Sequence, residues 1–251
     1  MDERVAIVTG AGSGIGRSTA RLLADRGLEV ALVGRRVERL DEVAADIAEA
    51  GGRSFSVPAD LAQPEAPRTV VERVLAERGR VDVIVNNAAT FRLRTVDEFT
   101  LEEFDEHVAV NLRAAYFLVQ AALPALRSSP AAVVVNVSSA AAAMYRRGQT
   151  VYGLTKAALE HMTMNMAAEL APDRVRVVCV RPGPVATEFH TAVADPEARL
   201  RELEKLVPLG RVGQPDEIAR WIGHLADPDS DWVTGTVLTI DGGRILGPPG
   251  A

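Results

Sequence analysis

Three side chains between Asn136 and Lys156 can together move a proton: the hydroxyl of Ser139, the phenol of Tyr152 and the ammonium of Lys156. Tyr152 and Lys156 stand four residues apart in a segment with helical patterning, and i, i+4 positions share one helix face. With about 5 Å between phenol oxygen and ammonium nitrogen and an effective dielectric of about 20, attraction favours phenolate by roughly 3 kcal/mol. That pulls the phenol from its ordinary pKa of about 10 towards working pH, where it serves as a general acid or base. A Tyr-x-x-x-Lys pair alone is commonly a surface helix pair, so the elements around it decide its meaning.

The chain has 251 residues, enough for one large α/β domain, with an ordinary 47% hydrophobic and 25% charged content. A net charge of -6 leaves no basic excess to displace counterions from phosphates, which argues against nucleic-acid binding. Cys179, the one cysteine, lies in the apolar run of residues 175–180 and reads as a buried strand residue that forms no internal disulfide. No basic-then-apolar leader precedes Val5, and no uninterrupted apolar run approaches the roughly 20 residues of a membrane span. The expected setting is reducing and cytoplasmic, with no membrane contact. His107, His161, His190 and His224 are too scattered to form a local metal cluster with Cys179, so no metal is expected.

The apolar run of residues 5–8 stops at Thr9-Gly10-Ala11-Gly12-Ser13-Gly14-Ile15-Gly16, and an amphipathic segment follows to Gly27. This is strand, glycine turn, helix: glycines let the backbone approach a diphosphate, and the helix start offers free N–H groups and a positive dipole end. The spacing is T-G-x-x-x-G-I-G rather than G-x-G-x-x-G, and no Lys-Ser/Thr follows as a P-loop requires. Further strands are predicted at residues 30–33, 55–57, 81–85, 132–137, 175–180 and 237–240. Helices are predicted at residues 38–50, around Val70 to Leu75, at 108–126 and from Tyr152 to about Leu170. This alternation predicts a single α/β domain, a Rossmann-type doubly wound parallel sheet of about seven strands with helices on both faces. Its ligand crevice lies at the carboxyl ends of the strands, where strand order reverses. Residues 184–207, with Pro184, Pro196 and mixed charge, break the alternation and read as a flap over that crevice.

In order and spacing, Thr9 to Gly16, Asp60, Asn86-Asn87-Ala88, Asn111, Ser139, Tyr152 with Lys156, Pro182-Gly183 and Asp241-Gly242-Gly243 resemble the short-chain dehydrogenase/reductase family over nearly the whole chain. The family's catalytic Ser stands thirteen residues before the Tyr, which selects Ser139 over Ser138. Ala89 departs from a frequent family Gly. The resemblance implies a nicotinamide-dependent oxidoreductase that interconverts a secondary alcohol and a ketone. Tyr152 would exchange the proton, Ser139 orient the oxygen, Lys156 lower the Tyr pKa and hold the ribose, and Asn111 hold a water for proton relay. It further implies cofactor contacts from Gly10, Ser13, Gly14, Ile15 and Gly16, from Asp60 and Leu61 at the adenine, from Asn86 and Ala88 through the backbone, and from Pro182, Gly183, Val185 and Thr187 at the carboxamide. The alternative class is a catalytically silent dinucleotide-binding interaction module, which the fold alone permits.

Selectivity for NAD usually rests on an Asp or Glu about 20 residues beyond the glycines. That place is Gly34, and Arg35 and Arg36 follow with forks suited to a 2′-phosphate, so NADP is expected over NAD, with Arg35 the leading ligand. The substrate is a small carbonyl or alcohol compound bounded by Phe91, Leu93, Met144, Tyr145, Gln149 and Phe189. Arg92, Arg94, Arg146 and Arg147 stand near the expected mouth, as solvated residues or as anion ligands. By resemblance a homotetramer is expected, packed through helices 108–126 and 151–170, where Ala114, Ala115, Ala121, Ala157 and Ala158 would allow close approach.

Overall fold

The computed structural model describes residues 4–191 and 195–247. Seven strands form one parallel sheet: β1 (Val5–Thr9), β2 (Glu29–Gly34), β3 (Arg53–Pro58), β4 (Val83–Asn86), β5 (Val133–Val137), β6 (Arg176–Pro182) and β7 (Val237–Ile240). Their spatial order is β3-β2-β1-β4-β5-β6-β7, so β1 is central and the order reverses between β1 and β4. Apolar runs without alternation mark strands covered on both faces, and β1, β4 and β5 are buried throughout. Successive residues serve opposite layers: Ala6 and Val8 point into one apolar cluster, Val5 and Ile7 into the other.

The first cluster is closed by α1 (Gly14–Asp25), α2 (Val37–Glu49) and α9 (Pro215–Ala226). The second is closed by α3 (Ala66–Arg78), α5 (Ala114–Ser128) and α6 (Thr150–Leu170). Asp82 ties this layer to the sheet. Its buried carboxylate accepts from the Val5 backbone, from Ser129 and from Arg80 through two nitrogens. Burial alone would raise its pKa, but the hydrogen bonds from Arg80, Ser129 and Val5 outweigh that and hold it below the usual carboxylate range.

The helix expected at residues 108–126 is longer and not uniform. It begins as α4 (Leu101–Val108), passes through a π turn at Ala109–Arg113 and continues as α5. Thr100 and Glu103 form a capping box that starts it, a T-x-x-E signal ahead of the apolar run. The continuous segment Leu101–Ser128 is long and apolar enough by composition to cross a bilayer. Here α5 instead sinks Leu118, Val119, Ala122 and Leu126 into the core beside α3.

The segment after β6 folds as Val185, bridged to Gly213, then α7 (Glu188–Thr191) and α8 (Pro196–Glu204), the latter capped by Asp195. Leu203 and Val207 are buried, so the expected flap is anchored at its far end.

Candidate active site

Between β1 and α1 the glycines are set by contact as well as by backbone angle. A Cβ on Gly16 would lie 2.1 Å from the Gly10 carbonyl oxygen, and one on Gly10, which has φ +67, would lie 2.8 Å from Asn87 Nδ2. A Cβ on Gly14 (φ +50) would press on Thr187 at 3.0 Å. Asn87 fastens the turn by donating to the Thr9 carbonyl at 2.9 Å, and Thr9 Oγ1 accepts from the backbones of Asn87 and Ala88. Ser13 caps α1 in extended backbone without a side-chain cap bond, and the first turn carries no acid. The first N–H groups of α1, at Gly14 and Ile15 on the crevice wall, therefore lie at the positive end of the helix dipole without an intrahelical acceptor. This cradle fits a diphosphate, so the residues present suit a dinucleotide.

Ser139 stands just past the end of β5, held in extended backbone, and its Oγ accepts from Ala141 N at 3.2 Å, capping a single 3-10 turn at Ala140–Ala142. Helix α6 presses on that turn at Gly153, where a Cβ would lie 2.8 Å from the Ala141 carbonyl oxygen. The close approach brings the Tyr152 phenol within hydrogen-bonding reach of Ser139. Lys156, one turn on, is 2% exposed, lies 5.8 Å from the Tyr152 ring centre and donates to the Val137 carbonyl at 2.8 Å.

The expected fall in the Tyr152 pKa is corrected by this geometry. Burial pushes the phenol up to about 12, against a smaller downward pull from Ser139, and burial brings the Lys156 ammonium down to about 8. The i, i+4 face is shared as expected, but the Lys156 nitrogen sits back against β5, and loss of solvent dominates both groups.

Asn111 lies in the π turn, where its amide accepts from Thr90 N and donates to Thr90 O and to Thr155 Oγ1. Thr155 in turn donates to the Tyr152 carbonyl. Both amide protons of Asn111 thus go to protein groups, and its bonds to Thr90 brace the segment that leads to Phe91. Asn86 is also internal, donating to Asn136, which donates to Thr163. Ser138, passed over in favour of Ser139, shares its proton between Glu160 at 2.7 Å and the Lys156 carbonyl at 3.2 Å; Glu160 is clamped by Arg181.

A cavity of about 350 Å³ gathers Gly10, Ser13, Gly14, Ile15, Ala88, Ser139, Tyr152, Lys156, Pro182, Gly183, Val185 and Thr187. Phe91, Met144, Gln149 and Phe189 line it as expected, with Phe91 edge-on to Tyr152 at 5.0 Å and near Phe189 at 4.9 Å. Leu93 and Tyr145 fall outside its lining and are exposed. Gly16, Arg35, Arg36, Asp60, Leu61, Asn86 and Asn111 also stand outside the lining. Asp60 accepts from Ala62 N in a local turn, and Leu61 is buried in the core. Arg36 reaches Ser13 Oγ at 3.4 Å and pairs with Glu188 at 2.9 Å; Arg35 is exposed, with no bond to another described residue. Arg36, rather than Arg35, thus lies over the glycine turn. Arg146, named at the expected mouth, belongs to the lining, and so do Asn87, Glu188 and Arg244, which were not singled out as site residues. Asn87 had a signal in its place between Asn86 and Ala88; Glu188 and Arg244 had none. Cys179 is buried in β6, with its thiol pushed up to about 12 by burial.

A family profile described as enoyl-(acyl carrier protein) reductase matches residues 10–244. An uncharacterized oxidoreductase of Mycobacterium tuberculosis is 35% identical over 244 residues, covering 97% of this chain and 92% of that protein. A short-chain dehydrogenase/reductase from Serratia marcescens superposes with a TM-score of 0.90 at 33% identity, covering 96% of this chain and 98% of that one. A blue fluorescent protein from a metagenomic library, solved in complex with NADPH, gives 0.89 at 32% identity over 96% of this chain and 97% of its own. Likeness of that reach, end to end in both sequence and fold, means that the chain belongs to the short-chain dehydrogenase/reductase family of oxidoreductases.

Proposed function

We propose that this chain interconverts a secondary alcohol and a ketone, with Tyr152 exchanging the proton and NADP, in preference to NAD, as redox partner. The observation that carries the reading is that Ser139, Tyr152 and Lys156 meet on the wall of one cavity together with the glycine turn. When bound, the nicotinamide gives or takes the hydride. A phenol held near 12 is the neutral donor that reduction needs at working pH. Ser139, within reach of that phenol, fixes where a carbonyl oxygen sits, and the Lys156 charge eases the loss of the proton. Phe91, edge-on to Tyr152 and close to Phe189, gives the reacting face an apolar wall.

Gly10, Ser13, Gly14, Ile15 and Gly16 would hold the diphosphate; Asp60 and Leu61 would hold the adenine. Asn86 and Ala88 would contribute backbone, while Pro182, Gly183, Val185 and Thr187 would hold the carboxamide. Gly34 offers no carboxylate to a ribose 2′-OH, and Arg35 and Arg36 stand beside it to meet a 2′-phosphate. The contact of Arg36 with Ser13 supports giving Arg36 the larger share.

The reading is tested by turnover across a panel of ketones and alcohols with each cofactor, in wild type, Arg35→Ala and Arg36→Ala. The expected result is catalysis with a wild-type preference for NADP that falls about tenfold or more in Arg36→Ala and less in Arg35→Ala. A preference for NAD, or ratios unchanged in both variants, contradicts the cofactor assignment. Cofactor binding without turnover of any compound would favour the silent module.

A further inference from the structure

Of the four arginines near the mouth, the structure separates one from the rest. Arg92 lies 2.9 Å from Glu106 and Arg94 lies 3.5 Å from Glu103, while Arg147 is exposed and outside the cavity lining. Arg146 is half-buried in the lining itself, and its guanidinium forms no hydrogen bond or ion pair with any described residue. Arg244, in the turn that follows β7, lines the same cavity half-buried and equally unpaired among the described residues. Arg199 of α8 is half-buried nearby, also without a partner among them. Burial, and then the charges of Arg199 and Arg244, hold the Arg146 guanidinium below its ordinary value.

The acids at hand are committed elsewhere. Glu188, on the lining, is paired with Arg36. Asp241 accepts from the backbones of Gly243 and Ile245. A guanidinium keeps its charge in a protein, so Arg146 and Arg244 share one cavity wall as like charges, with the charge of Arg199 acting on them, partly withdrawn from water and neutralised by no described residue. Solvated surface arginines need neither the burial nor the convergence. A group that supplies the missing negative charge would relieve both, and the planar fork suits an oxyanion with two oxygens.

Resting on the oxidoreductase reading above, we propose that the substrate carries an anionic oxygen group, a carboxylate or a phosphate ester, bound by Arg146 and Arg244 while its carbonyl meets Tyr152 and Ser139. Arg199 strengthens the field at that end of the cavity. The enzyme thereby selects keto acids or keto phosphates over neutral ketones of the same shape.

The test compares kcat/KM for a keto acid, its methyl ester and the matching phosphate monoester, with NADPH, in wild type, Arg146→Gln, Arg146→Lys, Arg244→Gln and the double glutamine variant. Wild type is expected to favour the acid over the ester by about thirtyfold or more, and that ratio falls about tenfold in each single glutamine variant and towards unity in the double. Arg146→Lys, which keeps the charge and loses the fork, falls between wild type and Arg146→Gln. The better of the two anions identifies the group. An acid-to-ester ratio near one in wild type, or a ratio unchanged in the double variant, overturns the proposal.

If wild type turns over none of these compounds, the redox reading has failed, and the anion site is judged by calorimetry on NADPH-loaded protein with glutarate and with phenyl phosphate. Binding of either that weakens about tenfold or more in the double variant supports the site; no binding in wild type, or equal binding in the variant, overturns it.

Discussion

Tyr152 and Lys156 show how burial and proximity compete to set a proton's affinity. The sequence makes their shared helix face legible, and from it a lowered phenol pKa follows; what spacing cannot convey is that both groups lose their water. The structure has Lys156 down to about 8 and Tyr152 up to about 12. Below about pH 8 the folded protein must hold a buried ammonium that the unfolded chain leaves in solvent, so Lys156 opposes folding there, and its penalty fades as pH rises from about 8 to 10.5. Tyr152 has the opposite sign: its contribution is fully present below pH 10.0 and is lost as pH rises through about 12. The Lys156 penalty is about 3 kcal/mol, against about 1 kcal/mol for its bond to Val137. Lys156→Met should therefore be more stable than wild type by about 2 kcal/mol at neutral pH. Urea unfolding at pH 7 and near pH 10 checks this, with the gain shrinking at the higher pH; a less stable variant at pH 7 would show that burial does not govern the group. For activity the same value predicts that kcat/KM for reduction is level below about pH 8 and declines above it as Lys156 loses its proton. Arg146 and Arg244 mark the limit of reading residues singly, because their meeting depends on a turn after β7 that returns to the loop after β5.

At the scale of elements, the seven strands and the helices α1, α2, α3, α5 and α6 were legible because several apolar runs end at glycines and asparagines, and those ends form the crevice; α9 (Pro215–Ala226), which also covers the sheet, was not predicted. Less legible was the long helix through Ala109–Arg113, since its first turns, Leu101–Val108, are rich in acids and a π turn leaves no periodic mark in composition. Also hidden was the fit between α6 and the turn after β5. Gly153 costs α6 up to about 1 kcal/mol relative to Ala, so its presence needs a reason. The reason is the Ala141 carbonyl, which a Cβ would meet at 2.8 Å. Gly153→Ala should raise helix stability yet push the Ser139 turn away from Tyr152, lowering kcat about tenfold or more while cofactor affinity stays within about twofold. Steady-state kinetics with a parallel cofactor titration decides: unchanged kcat would show that Ser139 is not positioned through this contact. Asp82 serves the far end of the sheet. Truncation to Ala removes the acceptor of Ser129 and of the Val5 N–H and the carboxylate that Arg80 grips, and should cost about 3 kcal/mol in denaturant unfolding, without a direct effect on the reacting groups.

For the whole molecule, the outer face of α5 and α6 carries Tyr116 and Phe117, each 43% exposed, with Leu154 at 42% and Met164 at 46%. Ala114 and Ala115, expected to ease helix approach between subunits, are buried in the chain's own core, so the larger side chains would form such a contact. The homotetramer expected from the family is thus proposed to close over these four, and a Phe117→Glu, Leu154→Glu double variant should sediment as smaller species than wild type at micromolar concentration. Monodisperse monomer in wild type would contradict the assembly. Within one chain, the crevice at the strand-order reversal is built from two parts: the β1–α1 turn and the end of β4 form the glycine cradle, and β5 with α6 presents Ser139 and Tyr152, the proposed proton donor. The two halves can be separated by one substitution. Tyr152→Phe keeps the ring that packs on Phe91 and removes only the hydroxyl, so kcat for ketone reduction should fall about a thousandfold or more, with NADPH affinity within about twofold of wild type. A variant that binds NADPH normally and keeps most of its turnover would contradict the assignment of Tyr152 as proton donor.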